Sequence, residues 1–404
     1  MRSGAWPFTA WLLGASGCWV LTPGDVVDHD AALDTDTGED PYNPDFDDAG
    51  SWEAFDLAEV GSDWTWLQGS TFDGRYLYLA HLDGQSAYRF DTQGGFTDPG
   101  SWTSFGFAEI DDGVSSIGSV VSDGRYVYWG PGWKGDHLVL RYDTTQDFES
   151  AASWTARDLG HTAHTNGAAF DGRYVYFDGH YGDTQMRYDT QLPFTDAGSW
   201  EEFDATDFVA YSPGGMIFDG RYLYYPYWEG EQIGRYDTRG EFTSRDSWTS
   251  FDIVVNVDAR ADVVHGGTTD GRYVYFSATW NHTLLRHDTV GEFLSSSSWE
   301  ALDVEDLGFE MWFAGAVFDG RYVTYPAGGP SNETRRYDTR LGFDDPEAWE
   351  SFAQLTLGAG AYGFGGGAFD GRYVYLIPQF DSTIVRFHAR EPARMPDTWY
   401  GAFY

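Results

Sequence analysis

The sequence predicts an all-β fold made of seven similar units, on three observations. Tyr, Phe and Gly are abundant, with 27, 29 and 50 residues, which suits short strands joined by tight turns. Successive copies of one phrase lie 48 to 51 residues apart, and so regular a period indicates a repeat architecture. Each unit holds four candidate strands, so the seven form a seven-bladed β-propeller. The phrase, Asp-Gly-Arg-Tyr, begins at Asp73, Asp123, Asp171, Asp219, Asp270, Asp319 and Asp370.

The repeated phrase has the pattern of a β-hairpin followed by a buried strand. In the third unit, the apolar residues 167–170 run into Asp-Gly, which type I′ turns favour because their two central residues need positive φ. Residues 174–177 are apolar or aromatic at every position, as is typical of a strand buried on both faces. Because Asp and Arg recur in every unit, we predict that they form ion pairs and turn hydrogen bonds between neighbouring blades, without a catalytic role.

The second half of each unit joins an arginine strand to a tryptophan strand at a fixed distance. Each third strand carries Arg-Tyr-Asp-Thr or a looser copy, and a tryptophan follows the arginine thirteen residues later. The distance from that tryptophan to the next Asp-Gly varies between 17 and 22 residues, so this connection tolerates insertions. The arginines are Arg89, Arg141, Arg187, Arg235, Arg286, Arg336 and Arg386, and the tryptophans are Trp102, Trp154, Trp200, Trp248, Trp299, Trp349 and Trp399.

An additional tryptophan strand precedes the first repeat and bears on ring closure. Trp52 has Phe46 six residues before it, as the inner repeats do. Trp399 has Ala393 at that place, with prolines nearby that disrupt strand pairing. We therefore predict that the N-terminal strand completes the last blade, so that the two chain ends lock the ring. If the C-terminal strand completes it instead, residues 46–57 lie on the outside.

The repeat region resembles the kelch-like propellers, whose blades pair a Tyr-Asp…Trp strand-turn-strand with a Gly-x-Tyr hairpin. The matching stretches are "RYDT…SW" and "DGRYVYF", although most units lack the Gly-Gly doublet of kelch repeats. The resemblance implies the propeller fold, and it implies no activity because propellers have many unrelated functions.

The N-terminal residues predict export. Residues 1–18 combine Arg2, an apolar run and small residues, which is the pattern of a signal peptide. Residues 13–18 resemble a bacterial lipobox, which makes Cys18 a candidate lipidation site, while an ordinary secretory signal is the alternative. Residues 19–45 are acidic and predict a disordered linker, and residues 46–404 form the propeller. We therefore expect an outer-membrane or cell-surface lipoprotein, or otherwise a secreted protein.

The charge balance restricts the partners of the protein. With 64 acidic and 24 basic residues, the net charge is -40, which repels phosphate backbones and anionic lipid. We expect no nucleic-acid partner, no membrane contact other than a lipid anchor, and a monomer.

The variable loops hold the candidate functional residues. In a propeller, the loops between second and third strands and those leading to the next blade open on one face, and aromatics, histidines and acids such as Asp136 and Asp178 fall in them. Aromatic rings stack on sugar rings while carboxylates accept from sugar hydroxyls, so we predict a binding protein for an extracellular glycan or another ligand. The predicted ligand-binding residues are Trp64, Trp66, Trp133, Tyr181, Tyr227, Trp228, Trp280 and Trp312.

Two other functions remain open from the sequence. His81, His161, His164 and His180 form a candidate divalent-metal site, as in some propeller polysaccharide lyases, and a paired-carboxylate glycoside hydrolase is a further enzymatic alternative. No other catalytic motif is recognisable, so no catalytic residue is assigned. The remaining alternative is a platform for protein partners.

Overall fold

Seven antiparallel sheets of four strands follow one another along the chain, as the repeat predicts. The computed structural model describes residues 40–391 except 62–65, 83, 135, 180–183, 210–211, 279–281, 309–311, 329–332 and 359. The innermost strand of each sheet contacts the innermost strands of both neighbours, and the first sheet contacts the last. The predicted all-β, seven-bladed propeller is therefore confirmed.

Each blade runs from an innermost strand at the central axis to an outermost strand at the rim. Strand β1 (Trp52–Asp56) precedes blade 1, which contains β2 (Leu67–Phe72), β3 (Tyr76–His81), β4 (Ser86–Asp91) and β5 (Trp102–Gly106). Blade 2 contains β6 (Ile117–Ser122), β7 (Tyr126–Pro131), β8 (Leu138–Asp143) and β9 (Trp154–Asp158). Blade 3 contains β10 (Ala168–Phe170), β11 (Tyr174–Phe177), β12 (Gln185–Asp189) and β13 (Trp200–Phe203).

Blade 4 has an extra two-stranded sheet, formed by β14 and β17. Its strands are β14 (Ser212–Pro213), β15 (Ile217–Phe218), β16 (Tyr222–Tyr225), β17 (Tyr227–Glu229), β18 (Gln232–Asp237) and β19 (Trp248–Asp252), followed by helix α1 (Ile253–Asn256). Blade 5 contains β20 (Val264–Thr269), β21 (Tyr273–Ala278), β22 (Thr283–Asp288) and β23 (Trp299–Asp303). Blade 6 contains β24 (Val317–Phe318), β25 (Tyr322–Tyr325), β26 (Glu333–Asp338) and β27 (Trp349–Ala353). Blade 7 contains β28 (Phe364–Phe369), β29 (Tyr373–Pro378) and β30 (Thr383–His388).

Short 3-10 helices flank the outermost strands. Those before the strands are Ala49–Ser51, Pro99–Ser101, Ala151–Ser153, Ala197–Ser199, Arg245–Ser247, Ser296–Ser298 and Pro346–Ala348. Those after the strands are Leu57–Glu59, Phe107–Glu109, Val304–Leu307 and Gln354–Leu357.

The N-terminal strand closes the ring. Strand β1 pairs antiparallel with β30 and supplies the outermost strand of blade 7, with Trp52 opposite Phe387. This confirms the predicted closure, while Trp399 lies outside the described residues. Contacts with the propeller begin before the predicted boundary at Phe46, since Tyr42 bridges Arg390 and Asp40 forms an ion pair with Arg321. The linker predicted over residues 19–45 is therefore docked on the propeller from Asp40 onwards.

The fixed arginine-to-tryptophan spacing reflects a packing unit. In all seven blades the indole nitrogen donates a hydrogen bond to the carbonyl oxygen of the phenylalanine six residues earlier. Trp154, for example, also stacks on Phe105 of the preceding blade, with ring centroids 4.8 Å apart and planes 10° apart. An insertion in this turn would break both contacts, which explains why its length is constant.

The Asp-Gly hairpin differs from the predicted type I′ turn. Gly74 has φ +101°, but neither Asp73 nor Arg75 is among the residues with positive φ, so the hairpin lacks the two consecutive positive φ values that a type I′ turn needs. One oxygen of the Asp73 carboxylate accepts the N–H groups of Arg75 and Tyr76, and the other accepts the Tyr78 hydroxyl at 2.8 Å. Six of the seven hairpins repeat this arrangement, which supports a scaffold role.

The two repeated arginines of each unit make different contacts, one within its own blade and one with the next blade. The hairpin arginine pairs within its own blade, as Arg75 does with Asp91 at 2.6 Å, so the prediction that this pair joins neighbouring blades is wrong. The third-strand arginine joins the blades instead. Arg286 lies over Tyr273 of its own blade and Phe343 of the next, and it donates a hydrogen bond to the Tyr337 hydroxyl of that blade.

His287 occupies a position that is aromatic in the other blades. It is fully buried, stacks on Trp299 with centroids 4.5 Å apart, and its Nδ1 lies 3.2 Å from the Ser298 carbonyl oxygen. Burial lowers the pKa of His287 from 6.5 to about 4, and the Arg235 guanidinium contributes in the same direction. The imidazole is therefore neutral in the folded protein at neutral pH.

Replacing His287 with tyrosine is expected to raise stability in acid. Between pH 6.5 and about 4, the unfolded state takes up the proton that the folded state excludes, so the free energy of unfolding falls as the pH falls. The loss at pH 4 is at most about 3 kcal/mol, and it is absent above pH 6.5. Urea unfolding of His287→Tyr at pH 4.5 and 7.5 measures it, with His161→Gln as an exposed control. Equal pH dependence in all three proteins would contradict this assignment.

Candidate functional site

The two faces of the propeller differ in construction. The Asp-Gly hairpins and the turns between third and fourth strands form one face, which we call the turn face. The loops between second and third strands and the connections to the next blade form the other, which we call the loop face. Four of the residues predicted for this face, Trp64, Tyr181, Trp280 and His180, lie outside the described residues, as does Cys18.

Two of the predicted aromatic residues are exposed on the loop face. Trp66 and Trp133 have 43% and 49% of their surface exposed, while Trp228 and Trp312 are half-buried. Tyr227 is instead fully buried in the core between blades 4 and 5, where its hydroxyl donates to the Ala261 carbonyl oxygen. The prediction that Tyr227 faces a ligand is therefore wrong.

Phe380 connects two of the predicted tryptophans. It lies in the loop between β29 and β30, and its ring meets Trp66 edge-on at 5.7 Å and 81°. Trp312 lies 6.3 Å from the same ring at 49°. These three residues come from blades 1, 7 and 6, and we call them the aromatic platform. Phe380 was not among the predicted loop residues, which were Trp, Tyr, His and acidic residues.

The other tryptophans have their own polar neighbours. The Lys134 ammonium lies 5.9 Å from the centre of the Trp133 ring, and His164 Nε2 lies 3.1 Å from the Trp133 carbonyl oxygen. Trp228 meets the ring of His265 at 4.8 Å and 84°. Among its described residues, the loop face therefore carries aromatic groups at blades 2 and 3, at blades 4 and 5, and at blades 6, 7 and 1.

The histidines predicted for a metal site have separate partners. His81 is buried, and its ring lies 6.1 Å from that of Tyr88. His161 Nε2 lies 3.0 Å from Glu202, and His164 binds the carbonyl oxygen of Trp133. Within the described parts of the chain, no three His, Cys, Asp or Glu side chains form a group that could hold a metal ion. Since His180 lies outside those parts, the metal site stays a prediction.

Two acids predicted to lie on the surface of the loop face are buried and hold loops in place. Asp136 accepts hydrogen bonds from the Ser115 N–H at 3.0 Å and from the Ser116 hydroxyl at 2.5 Å. Asp178 accepts the Asn166 N–H at 2.6 Å, and burial raises the pKa of its carboxyl group to about 7. Both carboxyl groups are buried and accept hydrogen bonds from loop residues, so they are not available to an external ligand.

The chain folds as a seven-bladed β-propeller, an architecture that is compatible with a binding platform. No protein-family model matches the chain, and no curated protein sequence matches it. Among solved structures, it is similar to virginiamycin B lyase from Staphylococcus aureus, with a TM-score of 0.60, 14% identity, and coverage of 83% of this chain and 98% of that chain.

Two further solved structures have the same architecture. A chain in the Mitotic Checkpoint Complex matches with a TM-score of 0.58 and 12% identity, covering 84% of this chain and 95% of that one. The Cps50 (Swd1) β-propeller domain of Myceliophteria thermophila matches with a TM-score of 0.54 and 12% identity, covering 81% of this chain and 96% of that one. Similarity at this level of identity shows the fold alone. Over the range that the structure describes, no helix has the length and apolar character needed to cross a bilayer.

Proposed function

We propose that the protein is an exported binding protein whose loop face binds an extracellular glycan. The observation that carries this proposal is the exposure of Trp66 and Trp133 on that face, each with nearly half of its surface in contact with solvent. The flat face of an exposed indole is accessible to a ligand and suits the apolar face of a sugar.

The docking of the N-terminal segment bears on the orientation that a lipid anchor at Cys18 would give the propeller. Asp40 binds Arg321, which belongs to the Asp-Gly-Arg hairpin of blade 6, so the chain reaches the propeller at its turn face. If Cys18 carries lipid, the residues between Cys18 and Asp40 tether the turn face to the membrane. The loop face then points outward, where an extracellular glycan is accessible.

A glycan array with the purified full chain tests this function. The expected result is retention of one or more glycans without release of shortened products, and loss of retention in the double variant Trp66→Ala, Trp133→Ala. The matched control is Leu192→Ala, which removes an exposed apolar side chain from the turn face. Release of products would support the lyase or glycoside hydrolase alternative. Retention of no glycan would contradict the proposal.

A protein partner is the second candidate function. Similar propellers occur in protein assemblies such as the Mitotic Checkpoint Complex, which fits the use of this fold as an interaction platform. The glycan array separates the two functions, because retention of a glycan by the wild type, lost in the double variant, is expected only if the loop face stacks on sugars.

A further inference from the structure

The backbone of the aromatic platform has a positive φ angle at Trp66, which the sequence does not predict. Trp66 adopts φ +67°, the left-handed region in which glycine is the usual residue and a bulky side chain is strained. Its N–H donates to the Gln379 carbonyl oxygen of blade 7 at 2.7 Å, and its carbonyl oxygen accepts the Leu82 N–H at 2.9 Å. The backbone is thus fixed from both sides, and the indole is held in one place. Strain of this kind that persists in a fold is found mostly at functional sites.

The chain also makes room for the central ring of the platform. A Cβ atom on Gly363 would lie 2.6 Å from Cδ2 of Phe380, and Gly363 itself has φ +65°. A side chain at position 363 would therefore displace Phe380 from between the two tryptophans. The platform depends on this glycine as well as on its three rings.

The hairpin loop that carries Phe380 also carries one carboxylate, that of Asp381. Asp381 is half-buried, and its Oδ1 accepts the Ser382 N–H at 2.6 Å. The Ser382 hydroxyl donates to Asp56 at 2.5 Å. Oδ2 of Asp381 remains available as an acceptor for a hydroxyl group of a ligand.

The charge of the protein indicates which glycans suit this site. The net charge is -40, and the single lysine of the chain, Lys134, lies with Trp133 in a different aromatic group. A polymer of uronic acids would meet carboxylates at the platform and a repulsive field around it. A neutral sugar meets stacking surfaces and hydrogen-bond acceptors without that repulsion.

We propose that the aromatic platform of Trp66, Phe380 and Trp312 is the subsite that binds a neutral polysaccharide chain. The inference rests on the proposed glycan-binding function, and it adds the position of the subsite and the class of glycan. Phe380 contacts both indoles, and Asp381 accepts from the hydroxyl groups of the bound sugar.

Affinity electrophoresis of the full chain tests the subsite. The gels contain a neutral polysaccharide, namely barley β-glucan, xyloglucan or galactomannan, or an anionic one, namely alginate or polygalacturonate. We expect retardation by at least one neutral polymer and by neither anionic polymer. Trp66→Gly is expected to weaken neutral binding by about tenfold or more and to leave the melting temperature unchanged or higher, because glycine relieves the positive φ. A purely structural Trp66 would lower the melting temperature.

Leu192→Ala is the matched control, since it removes a similarly exposed apolar side chain from the turn face. It is expected to change binding by less than about threefold, whereas Trp312→Ala, a second platform variant, should repeat the loss seen for Trp66→Gly. Loss with Trp133→Ala and normal binding by both platform variants would overturn the subsite and leave the glycan-binding function standing. Binding of the anionic polymers alone would overturn the neutral class. Failure to bind any polymer would contradict the proposed function itself.

Discussion

A chain shortened to begin at Leu57 is expected to lose the cooperative unfolding of the propeller. The deletion removes β1 and with it three buried aromatic side chains, Phe46, Trp52 and Phe55. Trp52 stacks on Phe352 of blade 6, and Phe46 packs against Phe387 of blade 7, so their removal opens the contact between these two blades. Burial of three such rings and a whole edge strand contributes on the order of 10 kcal/mol, comparable with the total stability of a typical domain.

Calorimetry of two truncated chains measures this effect. A chain that begins at Asp40 keeps the docked segment and is the matched control, with an expected melting temperature equal to that of the full chain. A synthetic peptide of residues 40–57 is expected to restore part of the lost transition when it is added to the shorter chain, since it supplies the missing strand. An unchanged melting temperature in the shorter chain would show that β1 does not close the ring.

The regular features of the fold could be predicted from the sequence because the same contact recurs in every blade. Each Phe-Trp turn makes the same hydrogen bond from the indole nitrogen, so selection of one turn length leaves a visible spacing. The presence of Phe46 six residues before Trp52 extended that rule to β1 and identified the closing strand correctly. The turn type of the hairpin could not be assigned in this way, because the Asp73 carboxylate accepts the Tyr76 N–H.

Burial on the loop face was harder to predict, since it depends on contacts between blades. Tyr227 and Trp228 are neighbours in β17, which pairs with β14 outside the repeating four strands. Consecutive residues of a strand point to opposite sides, so one of them enters the core and the other does not. The β14–β17 sheet occurs in one blade of the described chain, so no repeated pattern in the sequence shows which of Tyr227 and Trp228 is buried.

Ring closure brings together residues of the aromatic platform that are far apart in the sequence. Trp66 and Phe380 lie at opposite ends of the sequence and come together because blade 1 contacts blade 7. A prediction of closure makes these blades neighbours, yet it does not place two particular rings in contact. The positive φ of Trp66 is likewise set by its two backbone hydrogen bonds to residues of neighbouring loops.

Arg336→Ala is expected to destabilise the protein by about 4 kcal/mol. Arg336 is fully buried, with its guanidinium 4.1 Å from the centre of the Tyr322 ring and 4.6 Å from that of Phe46. It also pairs with Glu350 at 2.6 Å and donates to the Asn43 carbonyl oxygen at 2.9 Å. Alanine leaves a cavity, an unpaired carboxylate and unsatisfied carbonyl groups at the point where the N-terminal segment joins blades 6 and 7.

Arg141→Ala provides the matched control because Arg141 has the same place in blade 2. The Arg141 guanidinium lies 4.3 Å from the centre of the Tyr126 ring and 4.6 Å from that of Phe194. Both alanine variants therefore remove a guanidinium that stacks on two aromatic rings. Its neighbour on the outermost strand is Thr155 instead of a glutamate, and no chain terminus joins there. We expect a loss of about 1 to 2 kcal/mol for this variant, measured by urea unfolding. Equal losses at both positions would mean that Arg336 contributes through stacking alone, and that the ring is held closed by the pairing of β1 with β30.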